Sequence, residues 1–322
     1  MNSSNSEIVK VKRKDRGLLL AEWSMMGYVV FTLLLMVWHW QELVSPMPML
    51  WGRLLAVALV LLLWQVYRRW PSRWTILLRV TAQLALLSWW YPDTYELNRI
   101  LPNLDHVFAS CEQAVFGCQP SLLFYQQYPQ PVVSELLSLG YVSYYPLMVL
   151  VVFYYFFRRY EQFEQAASIV IASFFLFYVI FDLLPVVGPQ FYYQAVGTDL
   201  IAQGQFPDLG LYFRDHQECL DIPGWKDGVF YHLLASAHNA GERPTAAFPS
   251  SHVGITTVLL WLAWKARCRW LFITVLTLGI LMFFATFYIY AHYAIDAVAG
   301  LLVGTLFYKL LLRTDELVTR RG

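Results

Sequence analysis

Two stretches of the chain, AFPSSHVGITTVLLWLAW (residues 247–264) and YIYAHYAIDAVAGLLVG (residues 288–304), place ionisable side chains where an apolar run begins. His252 opens the first run, and His292 and Asp296 open the second. Apolar runs of this kind are typical of helices that cross a lipid bilayer. Ionisable residues at the edge of such a helix are typical of a functional site. The two stretches therefore indicate a helical membrane protein with a site at the ends of two helices.

The composition of the whole chain supports the same class of protein. Of 322 residues, 58% are hydrophobic and only 14% are charged, whereas soluble domains carry about 25% charged residues. The 13 Trp, 21 Tyr and 22 Phe are as expected for side chains that lie at membrane interfaces. The net charge of +1 argues against a nucleic-acid partner, which would require a strong basic field.

Eight apolar segments are candidates to cross the roughly 30 Å hydrocarbon core. The predicted fold is therefore all-α and polytopic, with about eight transmembrane helices. The sixth segment is only about 22 Å long at 1.5 Å per residue, which predicts that His252 lies below the lipid headgroups. Arg79, near the start of the third segment, is expected to extend towards the interface. The segments are 22–40, 49–67, 74–91, 136–157, 166–187, 250–264, 269–290 and 292–312.

The distribution of Lys and Arg predicts the orientation, because these residues accumulate on the cytoplasmic side. With a cytoplasmic N-terminus, only five of the 23 Lys and Arg residues fall on the outer side. Both termini are then cytoplasmic, and both histidine stretches and the long loops 92–135 and 188–249 are outside. We expect a retained first span in a bacterial inner membrane, with the site in the periplasm, or in the lumen of a eukaryotic compartment. The five outer cations are Arg53, Arg99, Arg214, Lys226 and Arg243.

The two outer loops are expected to contain amphipathic helices that lie at the membrane surface. LDHVFASCEQAVFG (residues 104–117) has helical spacing of apolar residues, a capping candidate in Asp105 and a terminating glycine in Gly117. DGVFYHLLASAHNAG (residues 227–241) has a similar beginning and end.

Three of the four cysteines are predicted to lie on the outer side, and Cys268 on the inner side. An oxidising outer compartment permits one disulfide, either Cys111–Cys118 or one of these two with Cys219. Four free cysteines are equally compatible with the sequence.

The two histidines are predicted to meet at one depth. From His252 the chain crosses the membrane, turns near residues 265–269 and crosses back before His292, so both imidazoles lie on the same side. His292 and Asp296 are four residues apart and therefore share one helix face. We expect Asp296 to accept the proton of one ring nitrogen of His292 and leave the other nitrogen free to attack. His252 would face this pair as an acid.

The turn before His252 completes the predicted site. Ser250 and Ser251 stand at a helix start, where backbone N–H groups and serine hydroxyls can hold an anion. An anion held between a helix N-terminus and two histidines suggests phosphoryl transfer through a phosphohistidine, with no metal or cofactor. Two alternatives remain open, a structural His–Asp ion pair and a metal site of two His and one Asp, for which no further ligand lies at suitable spacing.

At these residues the chain resembles the type 2 phosphatidic acid phosphatase superfamily. The PSGH block of that family is similar to residues 249–252 (PSSH), and its SRxxxxxHxxxD block is similar to the stretch ending in His292 and Asp296. The resemblance implies a six-helix core within residues 74–322, with the blocks at the outer ends of two core helices. Residues 1–73 would then be a basic tail and an added two-helix hairpin.

The chain departs from the superfamily pattern at its three phosphate-binding cations. Phe181 and Gly188 stand where the KxxxxxxRP block has its Lys and Arg, and Ala285-Thr286 replaces the SR of the third block. In these departures the chain resembles the inositol phosphorylceramide synthase and sphingomyelin synthase branch, whose members keep a His-His-Asp triad. Four further stretches are similar to that branch, namely EQAVFGCQPS, YVSYYP, VVGPQFYY and HYAID.

A bound phosphate still requires cations or hydrogen-bond donors, because an anion in a partly desolvated site is unfavourable. Arg243, nine residues before His252, is the first candidate cation and Lys226 the second, although either residue is equally well explained as a solvated loop cation. Tyr144 and Tyr145, with Tyr141, are expected to donate hydrogen bonds to the phosphate or to belong to an aromatic belt.

The sequence thus predicts a metal-independent enzyme that transfers a phospho-headgroup or phosphoryl unit between membrane lipids at the outer face. Synthesis of a sphingolipid of the inositol phosphorylceramide type is favoured, with a phospholipid or lipid phosphate as donor and ceramide as acceptor. A lipid phosphate phosphatase of the same superfamily is the close alternative. A non-catalytic lipid transporter or scaffold is the alternative from a different class.

Overall fold

The computed structural model describes residues 17–321, with side chains for all of these except 239–240 and 315–321. Over this range the chain is helical throughout, with fourteen α-helices, two short 3₁₀ turns and no strand. Most of the predicted basic tail lies outside the described residues. The helices are α1 (Leu20–Trp38), α2 (Pro46–Arg69), α3 (Arg73–Asn98), α4 (Asp105–Phe116), α5 (Pro120–Gln127), α6 (Pro131–Val142), α7 (Tyr144–Arg158), α8 (Phe163–Leu183), α9 (Pro189–Val196), α10 (Thr198–Ala202), α11 (Val229–Gly241), α12 (Ser251–Lys265), α13 (Arg269–Tyr288) and α14 (Ala294–Arg321).

Helices occupy all eight positions predicted to cross the membrane. Five of them, α1, α2, α8, α13 and α14, are each long and apolar enough to span a bilayer, and α6 with α7 forms a sixth candidate that is bent by 48°. The all-α, polytopic fold is therefore confirmed. The other two predicted spans stay predictions, because α12 has only 15 residues and α3 carries charges such as Arg79 and Asp93.

The surface helices were also predicted correctly in their positions. In the first loop α4 ends at Gly117, whose φ of 71° closes the helix, and in the second loop α11 covers the expected residues. Asp105 does not cap α4, because its carboxylate accepts hydrogen bonds from the backbone of residues 187 and 188 instead. All four cysteines are free, so the disulfide alternatives are not formed.

The hairpin of α1 and α2 packs against α3 and α8 and is joined to them by buried ion pairs. Arg79 lies 1% exposed and binds both oxygens of Glu22, at 2.8 and 2.5 Å. Arg53 binds both oxygens of Asp93, at 3.1 and 2.6 Å. The expectation that Arg79 extends to the interface stays a prediction, and its guanidinium is compensated by the carboxylate of Glu22. The division of the chain at residue 73 stays a prediction.

Helix α12 lies at the centre of the bundle, in contact with α7, α8, α13 and α14. Its approach to α14 is a backbone contact at glycines, which we call the glycine seam. A Cβ atom on Gly304 would lie 2.3 Å from the carbonyl oxygen of Gly254, and one on Gly300 would lie 2.4 Å from that of Ser250. Only glycine permits this approach, and it brings the first turn of α12 beside the start of α14.

Candidate active site

His252 lies in the first turn of α12, and backbone contacts tie that turn to α14. The hydroxyl of Ser250 caps α12 by accepting a hydrogen bond from the N–H of Val253 at 3.4 Å. The backbone N–H of Ser250 in turn donates to the backbone carbonyl of Asp296 at 3.0 Å. Ser250, two residues before His252, therefore positions the helix and uses its own side chain to do so.

His292 lies in the turn that precedes α14, where its ring is buried. Its backbone N–H donates to the carbonyl of Thr286 at 3.0 Å, and its Nδ1 lies 2.7 Å from the carbonyl oxygen of Ala247. A carbonyl can only accept, so Nδ1 carries the proton and Nε2 keeps its lone pair. The ring centroids of His252 and His292 are 5.7 Å apart.

Asp296 does not make the hydrogen bond that was expected of it. Its Oδ2 lies 3.8 Å from Nδ1 of His292 and accepts instead from the backbone N–H of Tyr293 at 2.8 Å. The expectation that this carboxylate orients the imidazole is wrong, because the carbonyl of Ala247 already occupies that role. Asp296 remains close enough to stabilise positive charge on the ring.

The ring of His252 is held between two tyrosines. The ring centroids of Tyr141 and Tyr144 each lie 4.5 Å from its own, and the hydroxyl of Tyr144 donates to the carbonyl of Ser251 at 3.4 Å. Within the described part of the chain, Nδ1 of His252 has no hydrogen-bond partner. The two tyrosines fix the ring in place, and this nitrogen is buried without a partner.

A cavity of about 440 Å³ adjoins His252, a volume within the range of ligand pockets. Helices α3, α7, α8 and α11 contribute most of its lining. The lining combines polar and apolar side chains, as a site for a lipid would. The polar lining comprises Ser88, Tyr91, Tyr141, Tyr144, Tyr145, Tyr178, Gln190, His238, Glu242, Ser251 and His252, and the apolar lining includes Leu84, Leu87, Met148, Val149 and Phe174.

The structure brings only some of the predicted phosphate-binding residues to this cavity. Ser251, Tyr144 and Tyr145 line it, whereas the side chain of Ser250 is buried as a helix cap. Arg243 is exposed and donates to Oε1 of Gln217 at 2.8 Å.

Lys226 is likewise exposed, 3.5 Å from Asp221. Neither Lys226 nor Arg243 lines the cavity, and among the residues described no other Lys or Arg does so.

The position of Gly188 explains why a superfamily arginine is absent there. Its φ is +91°, and a Cβ atom would lie 2.7 Å from the carbonyl oxygen of Ala291, which directly precedes His292. A side chain at residue 188 would displace the turn that carries this histidine.

Two buried carboxylates on α4 hold the turns that carry the site, and the sequence analysis missed both roles. Asp105 accepts from the backbone N–H groups of Val187 at 2.7 Å and Gly188 at 2.9 Å and from the hydroxyl of Tyr293 at 3.0 Å. Glu112 accepts from the backbone N–H of Ile295, in the first turn of α14, at 3.0 Å. The only signal in the sequence was the occurrence of acids in an amphipathic helix.

Burial shifts the ionisation of these groups. It raises the pKa of Glu112 to about 7, against hydrogen bonds from Ile295 and Ala294 that lower it. It lowers the pKa of His292 to about 4, opposed by the hydrogen bond to Ala247 and by the charge of Glu242. The imidazole of His292 is therefore neutral near pH 7, as a nucleophile must be.

Glu242 was also missed, and it lines the cavity. Its Oε1 accepts from the hydroxyl of Tyr91 at 3.3 Å, and its Oε2 lies 3.9 Å from Nδ1 of His238. The sequence analysis selected the neighbouring Arg243 because it looked for a cation. Among residues 17–321, no group of three or more His, Cys, Asp or Glu side chains is arranged to hold a metal ion.

A family model described as the PAP2 superfamily matches residues 108–310, which is more than half of the chain and includes both histidines and Asp296. Neither a curated protein nor a solved structure gives a match.

Proposed function

The chain belongs to the PAP2 superfamily of membrane lipid phosphatases and phosphotransferases, and from this premise we propose that it transfers a phospho-headgroup between lipids through a phosphohistidine on His292. The transfer yields a sphingolipid, with a phospholipid donor and ceramide as the acceptor. One observation carries the proposal: the rings of His252 and His292 lie 5.7 Å apart, beside a cavity that His252 lines together with both polar and apolar side chains.

In the first step, Nε2 of His292 attacks the phosphorus of the donor. An N–P bond forms, and the bond between phosphorus and the diacylglycerol oxygen breaks. His252 gives a proton to the departing oxygen, since a bound phosphate anion beside this ring favours its protonated form. The new positive charge on His292 is stabilised by Asp296, whose Oδ2 lies 3.8 Å from Nδ1.

In the second step, the hydroxyl of the acceptor attacks the same phosphorus. The N–P bond breaks, the lone pair returns to Nε2 of His292, and the hydroxyl proton passes to His252, which is then ready for another cycle. Water in place of the acceptor would release the phospho-headgroup, which is the hydrolase outcome. The two reactions therefore share their first step and differ only in what enters the cavity.

The lining of the cavity favours transfer of a phosphodiester headgroup over hydrolysis of a phosphomonoester. A phosphomonoester carries close to two negative charges at neutral pH, and such charge is usually matched by Arg or Lys. The described lining contains neither residue type. A phosphatase of the same superfamily remains the alternative, and a non-catalytic lipid transporter or scaffold is the alternative from another class.

We also propose that the site faces the periplasm of a bacterial inner membrane, or the lumen of a eukaryotic compartment, with both termini cytoplasmic. The asymmetry of Lys and Arg along the chain supports this orientation.

The test is an assay of the detergent-purified protein with a phospholipid donor, with and without fluorescent ceramide, and in parallel with a lipid phosphate. Turnover that requires ceramide supports the transferase, and an acid-labile adduct of His292 with the mass of the whole phospho-headgroup, detected by mass spectrometry, supports the intermediate. Free phosphate released from the lipid phosphate without an acceptor favours the phosphatase. Lipid binding without turnover, unchanged by His292→Ala, favours the scaffold and contradicts the proposal.

A further inference from the structure

Glu112 of α4 and Asp296 of α14 are buried carboxylates that bind the same turn of the backbone. Oε2 of Glu112 accepts from the N–H of Ile295 at 3.0 Å, and Oδ2 of Asp296 accepts from the N–H of Tyr293 at 2.8 Å. The second oxygen of each, Oε1 of Glu112 and Oδ1 of Asp296, is buried without a hydrogen-bond partner among the described residues. Buried acceptors normally have a donor, so one is missing at this turn.

The groups that surround Glu112 supply no positive charge. Helix α14 presents Asp296, α9 presents the hydroxyl of Tyr193, α5 contributes the backbone of Ser121, and α4 itself carries Asp105. Neither Glu112 nor Asp296 has a Lys or Arg as an ion-pair partner within the described part of the chain. Burial and the charge of Asp296 raise the pKa of Glu112 to about 7, against backbone hydrogen bonds that lower it. Two neighbouring carboxylates in such surroundings retain a proton, because two uncompensated charges are unfavourable there.

Asp105, the third carboxylate of this cluster, is better provided with donors. It accepts from the backbone N–H groups of Val187 at 2.7 Å and Gly188 at 2.9 Å, and from the hydroxyl of Tyr293 at 3.0 Å. Hydrogen bonds of this kind favour the ionised form of a carboxylate. The oxygens without partners on Glu112 and Asp296 are therefore the place for the retained proton.

The charge that develops on His292 decides which of the two residues carries this proton during the reaction. Oδ2 of Asp296 lies 3.8 Å from Nδ1 of His292, and the ring becomes positive when its Nε2 attacks phosphorus. An opposite charge at this distance favours the ionised form of Asp296. Glu112 contacts the backbone of the turn rather than the imidazole, so it is the residue that can remain neutral.

We propose that Glu112 and Asp296 hold one proton between them and that Glu112 carries it while His292 is charged. Glu112 is then a positioning residue, which keeps Asp296 ionised and its turn in place. Loss of the proton leaves two negative charges near a site that must bind an anionic phosphate, and this repulsion weakens binding. The inference rests on the proposed function, because it concerns the charge that His292 acquires in that reaction.

The first test is the pH dependence of kcat/KM in the parent and in Glu112→Gln, with the phospholipid donor and fluorescent ceramide and, in parallel, with the lipid phosphate. A glutamine carboxamide can accept from Ile295 and donate to Asp296, so it resembles the protonated glutamate at every pH. The ratio of kcat/KM in the variant to that in the parent should rise at least about tenfold between pH 6.5 and pH 8.5, as for the loss of one required proton.

Glu218→Gln, which changes an exposed carboxylate, is the matched control and should show a constant ratio. If the ratio for Glu112→Gln is also constant, Glu112 has only a structural role and the inference is overturned.

The second test needs no turnover and therefore separates this inference from the proposed function. Infrared spectra of the full-length protein, labelled with ¹³C-glutamate, show the carbonyl band of a protonated glutamate. We expect a band that is absent from Glu112→Gln and that titrates near pH 7 in the parent. In Asp296→Asn the midpoint should fall by at least about one pH unit, because the neighbouring charge is removed.

The outcomes of the infrared measurement are distinct. A band with the expected shift in a protein that turns over no lipid supports the shared proton and contradicts the proposed function. An active transferase whose glutamate band is missing, or has the same midpoint in the parent and in Asp296→Asn, overturns the inference and leaves the proposed function standing. If Glu112→Gln does not fold, the shift in Asp296→Asn decides.

Discussion

Buried charges in the hairpin region and around the two histidines of this protein are compensated in different ways. Where α1 and α2 meet α3, two buried carboxylates each face an arginine, in the pairs Glu22–Arg79 and Asp93–Arg53. Each arginine binds both oxygens of its partner, so these pairs are electrically neutral and join two helices. Such pairs hold helices at a fixed register inside a medium of low dielectric.

Around the two histidines, the buried carboxylates face backbone N–H groups instead. Asp105 holds the loop at residues 187–188, Glu112 holds the first turn of α14, and Asp296 holds the backbone of Tyr293. Within the described residues, no Lys or Arg pairs with any of these three side chains. Ion pairs therefore assemble the helices, whereas N–H-bound carboxylates position the turns that carry the histidines.

The strongest test of this difference is His292→Ala, which should affect activity and leave assembly intact. We expect turnover to fall at least about a thousandfold, because the nucleophile is removed. The free energy of unfolding should fall by about 1–3 kcal/mol, because the buried carbonyl of Ala247 loses its donor. Turnover and unfolding are measured on the same preparation, with the exposed His232→Ala as the control. Residual activity within tenfold of the parent would contradict the assignment.

In the hairpin, Asp93→Leu should have the opposite effect: it should lower the stability of the fold and leave turnover nearly unchanged. It leaves Arg53 buried without its carboxylate, and breaking such a pair costs about 3–5 kcal/mol. The double variant Arg53→Met with Asp93→Leu removes both charges and should recover most of that loss. Unfolding by SDS in mixed micelles measures both variants, and turnover per folded molecule should stay within about twofold. A single variant as stable as the double one would show that the pair does not join these helices.

The glycine seam combines both roles, since it is a packing contact between α12 and α14 that also positions His252 and His292. Gly304→Ala places a methyl group against the carbonyl of Gly254 and should push the start of α14 away from His252. We expect kcat to fall by roughly ten- to a hundredfold, as for small misplacements of reacting groups. Gly27→Ala in α1, with no atom within 4 Å of the added carbon, is the control. Equal kcat in the two variants would argue against the seam setting the histidine distance.

The smallest expected effect concerns the ionisation of Glu112. Its pKa is raised by burial from 4.5 to about 7, so the folded protein holds this proton more tightly than the unfolded chain does. The resulting stabilisation is complete below about pH 4.5 and is lost as the pH rises through about 7. Relative to Glu112→Gln, the parent should therefore lose about 2 kcal/mol of unfolding free energy between pH 5 and pH 8. If the difference in unfolding free energy between the parent and Glu112→Gln does not change with pH, the folded protein does not hold the proton of Glu112 more tightly than the unfolded chain.

Much of the fold could be predicted from the sequence because it depends on apolar length, which is a local property. The helix positions and the junction of His252 with an apolar run are of this kind. The hydrogen-bond partners of the site residues, in contrast, depend on parts of the chain that are distant in sequence. The acceptor for His292 is a backbone carbonyl 45 residues earlier in the chain, and no pattern of residue types marks a carbonyl.

The error over Arg243 has a similar origin. Glu242 and Arg243 are adjacent beyond the end of α11, and extended backbone there sends neighbouring side chains to opposite sides. Sequence reasoning chose the residue whose charge suits a phosphate, whereas the fold turns that side chain towards Gln217 and the carboxylate towards the cavity.

The glycine contact between α12 and α14 also bears on how such a protein can diversify. Since main chain meets main chain there, the spacing of the two imidazoles does not depend on the size of any side chain in the lining. Substitutions on α3, α7 or α11 can therefore change which lipid is accepted while the reacting atoms keep their inherited separation. Variation in bilayer thickness or acyl composition should likewise alter substrate access before it alters the chemical step.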